Sequence, residues 1–349
     1  MTNSTFAQRL INARKIRCLS QRELSNKSDG KVSSTAIEKY EKAQMMPSSD
    51  VVITLANALG MNVDYFFRPF AVNIDSSKFE FRKKSSMTVK MVESIKHRVC
   101  FDIEKYLEIE SILANEVKFQ LDYSKYVVED ENIAMQMARR FRNDIQIGSD
   151  AIVSAVELLE SFGIKIIEIE QDMKFDGTCI KAGTIPVIVV NNRLSAERKR
   201  MTIFHELGHL MLRFAEGVDV EKMCTVFANE VLIPSEKFIS LMGTSRHDIS
   251  LMELKAIQRE YGVSVDALMA KAATLNVISL MRYQSYHKKK NAVPTFKNEV
   301  EQSIYPSEHT MRFERLVYKA LSSELISFSK AASLLEKPIE GIRENLNLM

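Results

Sequence analysis

The chain has 349 residues, 46% of them hydrophobic and 27% charged, with a net charge of +3 and only 11 Gly and 7 Pro. These values fit a helix-rich globular chain of two or three domains and exclude collagenous and low-complexity classes. No apolar run nears the ~20 residues of a bilayer span, the start MTNSTFAQRL lacks a signal-peptide core, and Cys18, Cys100, Cys179 and Cys224 form no CxxC pair, so no membrane or disulfide framework is expected and the cytoplasm is the expected compartment.

The N-terminal stretch is dense with helix punctuation. Ser20 followed by Glu23 is a capping box, with Leu19 and Leu24 placed as a hydrophobic staple, so a helix should start at Gln21. Asp29 and Gly30 break it. Ser33 or Ser34 then caps a second helix running to about Lys42, and Pro47 with Ser48 opens a third that Gly60 ends. Asn62 caps a last turn near Phe67, and with Phe6–Arg17 this makes five short helices. Residues 1–69 carry ten Lys/Arg against six Asp/Glu, an asymmetry that suits an acidic partner such as DNA.

Leu10, Arg14, Ser20-Gln21-Arg22-Glu23-Leu24, Ile37, Glu41, Pro47, Leu55-Ala56, Leu59-Gly60 and Tyr65-Phe66 together resemble the DNA-binding domain of the Xre/Cro family of phage-type repressors. The resemblance implies that the helix after the turn lies in the major groove of a double-stranded operator and that the protein is a homodimer on a palindrome. Ser34, Thr35, Glu38 and Lys39 would then face the bases, with Gln21 and Lys42 on phosphates. Ala43 stands where the family has a left-handed Gly, and the turn SDGK is longer than usual.

Beyond Pro69 comes a basic stretch, FRKKSS, and then a long amphipathic helix with Val92, Ile95, Val99, Ile103, Leu107 and Ile109 on its apolar stripe. Such a stripe should pack on another domain or a second subunit. Two further helices are expected, NIAMQMARRFRNDI and SDAIVSAVELLESFG, the second stopped by Gly163. The period then turns to strand in IKIIEIE, GTCIKAG and TIPVIVVNN, and Pro186 suits an edge strand for the last.

The next segment, MTIFHELGHLMLRF, holds the chemistry. Ser195 should cap its helix, Glu197 complement the dipole, and the helical pattern reaches about Phe214. Residues four apart share a helix face, so His205 and His209 can aim both imidazoles at one ion, while Glu206, one position round, can accept a proton from an attacking water. Composition alone would give HExxH about 0.01 times in such a chain, so chance is a poor account of it. Gly208 inside the helix costs ~1 kcal/mol against Ala, which points to close approach of another element there. A catalytic zinc takes three protein ligands. The downstream helix EKMCTVFANEVLIP offers Glu221 and Glu230, nine positions apart and on opposite faces, and spacing does not choose between them.

HELGH followed by E-x-x-(A/C)-x-x-F-A-x-E-(L/V)-L-x-P resembles the ImmA/IrrE family of metallopeptidases, as do PVIVVN and YGVSVDALMAKAATLNVI. The resemblance covers about Asn132 to Met281. It implies a compact zincin-like fold, Glu221 as third ligand beside His205 and His209, one Zn2+ per chain (Mn2+ as alternative), and Glu206 as general base. It also implies a sheet edge beside the site, so Ile188, Val189, Val190 and Asn191 are expected to line a substrate cleft by strand addition. Cys224 reads as small buried filler, and His247 and Tyr261 are the residue types available to stabilise an oxyanion.

After the lysines 288–290 the tail is helical, and FSKAASLLEKPIEGI has the cadence of a helix-turn-helix used for packing or oligomerisation. The expected fold class is therefore α+β and helix-rich: a five-helix DNA-binding domain over 1–69, a helical linker over 70–130, a zincin-like domain with a small sheet over 131–290, and a helical tail over 291–349. The family resemblance implies a stress- or mobile-element-responsive regulator that cleaves a repressor or antitoxin protein, or itself in the linker near residues 70–90. The rival expectation is a transcription factor whose zincin-like half only senses metal or a ligand.

Overall fold

The computed structural model describes residues 3–70, 80–81, 88–119, 121, 123, 125–170 and 175–346. The basic residues of the FRKKSS cluster and most of the proposed self-cleavage segment lie outside these residues. The chain divides into two units, one made of Met1–Val117, Ala182–Thr184 and Met311–Met349, the other of Lys118–Lys181 and Ile185–Thr310. Among the described residues no helix is long and apolar enough to cross a membrane.

The first unit opens with α1 (Asn3–Ile16), α2 (Gln21–Lys27), α3 (Ser34–Glu41), α4 (Ser49–Leu59) and α5 (Val63–Phe67). The capping box forms as read: the Ser20 side chain accepts from Glu23 N at 3.1 Å, and Ser20 N donates to Glu23 at 2.6 Å. Ser33 caps α3, and Gly60 (φ 60°) ends α4 in the left-handed region that glycine enters without strain. Ala43 takes the same hand (φ 56°) after α3, at the steric cost glycine would avoid. Leu10, Leu24, Ile37, Leu55, Leu59 and Phe66 are fully buried, each burial stabilising by roughly 1.5–3 kcal/mol.

After a two-residue strand β1 (Glu80–Phe81) comes α6 (Val89–Ile112). This helix is no spacer. Near its start Ser94 Oγ donates to the Ile16 carbonyl at 2.7 Å, and Glu104 takes Arg9 of α1 in a buried two-pronged pair at 2.6 and 2.7 Å. Its later turns pack Tyr106 and Ile109 against the helices that close the chain. Helix α6 and the last residues of the tail thus share one unit with the N-terminal helices, while residues 118–130 belong to the second unit.

The second unit begins with β2 (Val127–Val128), α7 (Glu131–Asp144) and α8 (Ala155–Ser161). Helix α8 starts six residues later than its sequence pattern suggests. Arg142 donates to the carbonyls of Gly148 and Asp150, holding that loop out of helix, and Ser154 supplies the cap. Strands β3 (Lys165–Ile169), β4 (Gly177–Ala182) and β5 (Ile185–Asn191) follow. Strands β4 and β5 join at the turn Gly183–Thr184, and β3 pairs parallel to β5 with Ile166 opposite Ile188 and Ile169 opposite Asn191. β5 therefore lies between β4 and β3, so Pro186 does not mark an edge. It is tolerated at the second residue, before the stretch paired with β3 begins at Val187.

Helix α9 (Ala196–Met211) ends before Phe214, because Arg213–Phe214 (β6) pairs parallel with β2 instead of continuing the helix. Then come α10 (Val220–Leu232), α11 (Ser235–Met242), α12 (Leu251–Tyr261), α13 (Val265–Thr274), α14 (Leu280–Ala292) and α15 (Pro294–Glu301). Residues 302–310 fold back over this unit. Glu308 caps α8 through Ala155 N and Val156 N, and pairs with buried Arg200 of α9. The tail therefore splits at Met311: α16 (Arg312–Ser322), α17 (Phe328–Leu335) and α18 (Ile339–Leu346) complete the first unit.

Candidate functional site

Helix α9 is fixed along its length. Ser195 accepts from Arg198 N, while buried Glu197 takes Gln258 Nε2 and Ser303 Oγ, both at 2.7 Å. Ile203, Phe204 and Leu207 enter the core completely. That anchors the opposite face, where His205 and His209 stand one turn apart with ring centroids 4.9 Å apart.

The close approach foreseen at Gly208 is that of α10. A Cβ there would lie 3.2 Å from Cys224 Sγ and 3.3 Å from Phe227 Cδ1. Asp219 caps α10 through Lys222 N at 3.1 Å, which sets Glu221 in its first turn over the histidines. His205 Nε2 lies 3.1 Å from Glu221 Oε2, His209 Nε2 3.2 Å from Glu221 Oε1, and the two Nε2 atoms are 3.2 Å apart. A tetrahedral ion with ligands at ~2.0–2.1 Å needs donor atoms about 3.3 Å apart, so the set fits one divalent cation with a coordination position left over. Among the described residues, these three side chains form the one cluster of histidine, cysteine and acidic groups able to hold a metal.

Glu230 points elsewhere. Burial works against its charge, yet Lys271 at 3.0 Å and three contacts to Ser235 outweigh that and hold its carboxyl below the usual range. It locks the turn into α11. The carboxylate choice that spacing left open is thus made by the crossing of α9 and α10.

Glu206 is buried, one position round from His205, and faces the sheet side of the site. Gly177 at the start of β4 lies beside it, where Thr202 of α9 and the backbone of β5 approach closely. A Cβ on Gly177 would sit 2.6 Å from Thr202 Cγ2, 2.8 Å from the Val189 carbonyl and 3.8 Å from Glu206 Cγ. Neither Gly177 nor Thr225 stood out in the sequence. Thr225, one turn beyond Glu221, places Oγ1 3.3 Å from His205 Nδ1, and Cys224 places Sγ 3.3 Å from His209 Nδ1. The i, i+3, i+4 spacing from Glu221 was the available signal.

The cleft assignment needs correction. Ile188, Val189, Val190 and Asn191 are all fully buried in a strand with neighbours on both sides, and Asn191 Nδ2 donates to the Phe175 carbonyl at 2.9 Å. A strand already paired on both sides has no free ladder groups to offer a peptide. Tyr261 is likewise core, its hydroxyl on the Ser149 carbonyl at 3.4 Å, while His247 is exposed.

At the N-terminal helices, Thr35 and Lys39 are exposed on α3, and Ser34 is half-buried at its start. Glu38 pairs with Lys42 at 2.6 Å, the hydrogen bond and charge of Lys42 keeping its carboxyl below the usual range. The Gln21 amide donates to Glu41 at 2.7 Å, and Glu41 also takes both prongs of Arg14 at 2.6 and 2.8 Å. Gln21 thus braces α2 against α3 rather than projecting freely.

Compared with known families, residues 7–68 match the model of a helix-turn-helix domain, and residues 159–272 match a peptidase family model described as the IrrE N-terminal-like domain. The second match contains β3, β4, β5, α9 and α10, and so the whole His205–His209–Glu221 cluster. No curated protein matches the chain.

Proposed function

With a helix-turn-helix domain and an IrrE-like domain joined in one chain as the premise, we propose a transcriptional regulator that is also a metal-dependent endopeptidase. The observation that carries this reading is the convergence of three donor atoms from His205, His209 and Glu221, with Glu206 beside them. His205, His209 and Glu221 hold a divalent cation, Zn2+ by donor chemistry, with Mn2+ as the alternative. Such an ion, when bound, polarises a scissile carbonyl and the water that attacks it. Glu206 accepts the proton of that water and returns it to the departing amine, a role its position next to His205 permits without occupying a ligand site. The first unit brings α3 to operator DNA through Thr35 and Lys39, with Ser34, Glu38 and Lys42 at its margins. The substrate is a repressor or antitoxin protein, or the chain's own segment near residues 70–90, and a homodimer on a palindromic site is the expected assembly.

The metal-sensor alternative shares the three ligands but has no use for Glu206. Co-expression with proteins encoded by neighbouring genes separates the two. Glu206→Gln should abolish fragment formation while the purified variant keeps one metal per chain. Equal fragment yield from wild type and variant would reject the endopeptidase in favour of the sensor.

A further inference from the structure

One further side chain, Thr225, touches both the His205 ring and the main chain of Glu221. Its hydroxyl donates to the Glu221 main-chain carbonyl at 2.8 Å, across one turn of α10. A threonine hydroxyl has a single proton. Once that proton is committed to Glu221, only oxygen lone pairs remain to face His205 Nδ1 at 3.3 Å. That contact becomes a hydrogen bond when the ring carries its own proton on Nδ1, which leaves a bare lone pair on Nε2. That lone pair points at the Glu221 carboxylate, 3.1 Å away, and at His209 Nε2, 3.2 Å away. The His205 lone pair and the Glu221 carboxylate are then two acceptors facing each other, a pairing that a cation entering between them relieves. With His205 in the other tautomer, Nε2–H would simply donate to Glu221, and the cluster would be closed by that hydrogen bond.

We propose that Thr225 is a positioning residue which, by spending its proton on Glu221, fixes the Nδ1–H tautomer of His205 and keeps the site open for a divalent cation. The inference rests on the metal-site reading above and adds the device that selects metal over an internal hydrogen bond. His209 has a different outer neighbour, Cys224 Sγ at 3.3 Å from Nδ1, and sulfur is the weaker acceptor. Thr225 is the oxygen neighbour of His205 Nδ1, and the proposal is tested there.

The test uses the full chain. Long-range nitrogen–proton NMR of the metal-free protein, at a pH where the imidazole is neutral, should show His205 protonated at Nδ1. Competition with a chromophoric chelator should show Thr225→Val binding Zn2+ 10–100-fold more weakly than wild type, the usual loss when an outer partner of a metal-bound histidine is removed. Thr225→Ser should restore the affinity, and the thermal unfolding of the metal-free valine variant should match wild type, which separates positioning from general packing. An Nε2–H ring in the wild type, or zinc affinity in Thr225→Val within twofold of wild type, overturns the proposal. If the valine variant fails to fold, the wild-type tautomer decides. Should wild type take up no zinc at all, the metal-site reading falls, and the tautomer still reports separately on Thr225.

Discussion

Two helix pairs carry the polar chemistry of this protein, and they are built on opposite principles. In α2–α3 the outward residues Thr35 and Lys39 are exposed, and the inward polar groups Gln21 and Glu41 are tied to each other, with Arg14 of α1 also on Glu41. In α9–α10 the polar groups turn inward toward one another across the crossing, and His209 keeps only 2% of its side chain exposed. A surface that reads a groove must project its groups; a metal site must converge them. The first can be specified by a single helix face, whereas the second exists only where two helices meet at a glycine.

The sharpest way to break this contrast is to treat the two carboxylates of α10 alike. Glu221→Ala should remove stoichiometric metal and leave the unfolding midpoint of the metal-free protein near wild type, as its side chain is 67% exposed. Glu230→Gln should do the reverse, costing about 3 kcal/mol by leaving Lys271 without its buried partner while metal still binds. Metal analysis beside denaturant unfolding checks both, and a loss of metal in Glu230→Gln would undo the division of labour.

On the DNA side, Thr35→Ala with Lys39→Ala should weaken operator binding by about ten- to a hundredfold and lower the salt dependence by roughly one counterion. Fluorescence anisotropy at several salt concentrations measures it, and unchanged affinity would move the reading face off α3.

The smallest effect concerns the helix that joins the N-terminal helices to the tail. Burial, and then the positive charge of Lys15, push the His97 imidazole of α6 from 6.5 down to about 4. Glu93 draws it upward, and Arg14 and Lys96 add to the downward push. The unfolded chain thus takes up a proton that the folded one refuses, so stability is complete above about pH 6.5 and declines as the pH falls toward 4. His97→Gln should flatten that decline in denaturant titrations at neutral and mildly acidic pH.

How much was legible before the structure differed between these regions for a physical reason. Capping boxes, staples and glycine stops act within one turn, so α2 to α5 and the joint at Gly262 could be read directly from residue order. The start of α8 and the end of α9 could not. There, Arg142 captures loop carbonyls and β2 captures Arg213–Phe214, and both partners are distant in sequence or belong to another element. Pro186 misled for a related reason: a local breaker says that one N–H is missing, not which side of the sheet is free.

By itself the sequence determined the helical period, the caps, and the placing of His205, Glu206 and His209 within one turn, because each depends on neighbours three or four residues away. Spacing left Glu221 and Glu230 open, and the family resemblance pointed to Glu221; only the tertiary structure decided that Thr225 and Cys224 stand behind the rings and that Ile188–Asn191 are core rather than cleft. Those outcomes hang on how closely α10 can approach Gly208 and on which strands flank β5, and close packing between distant segments leaves no periodic mark in the chain.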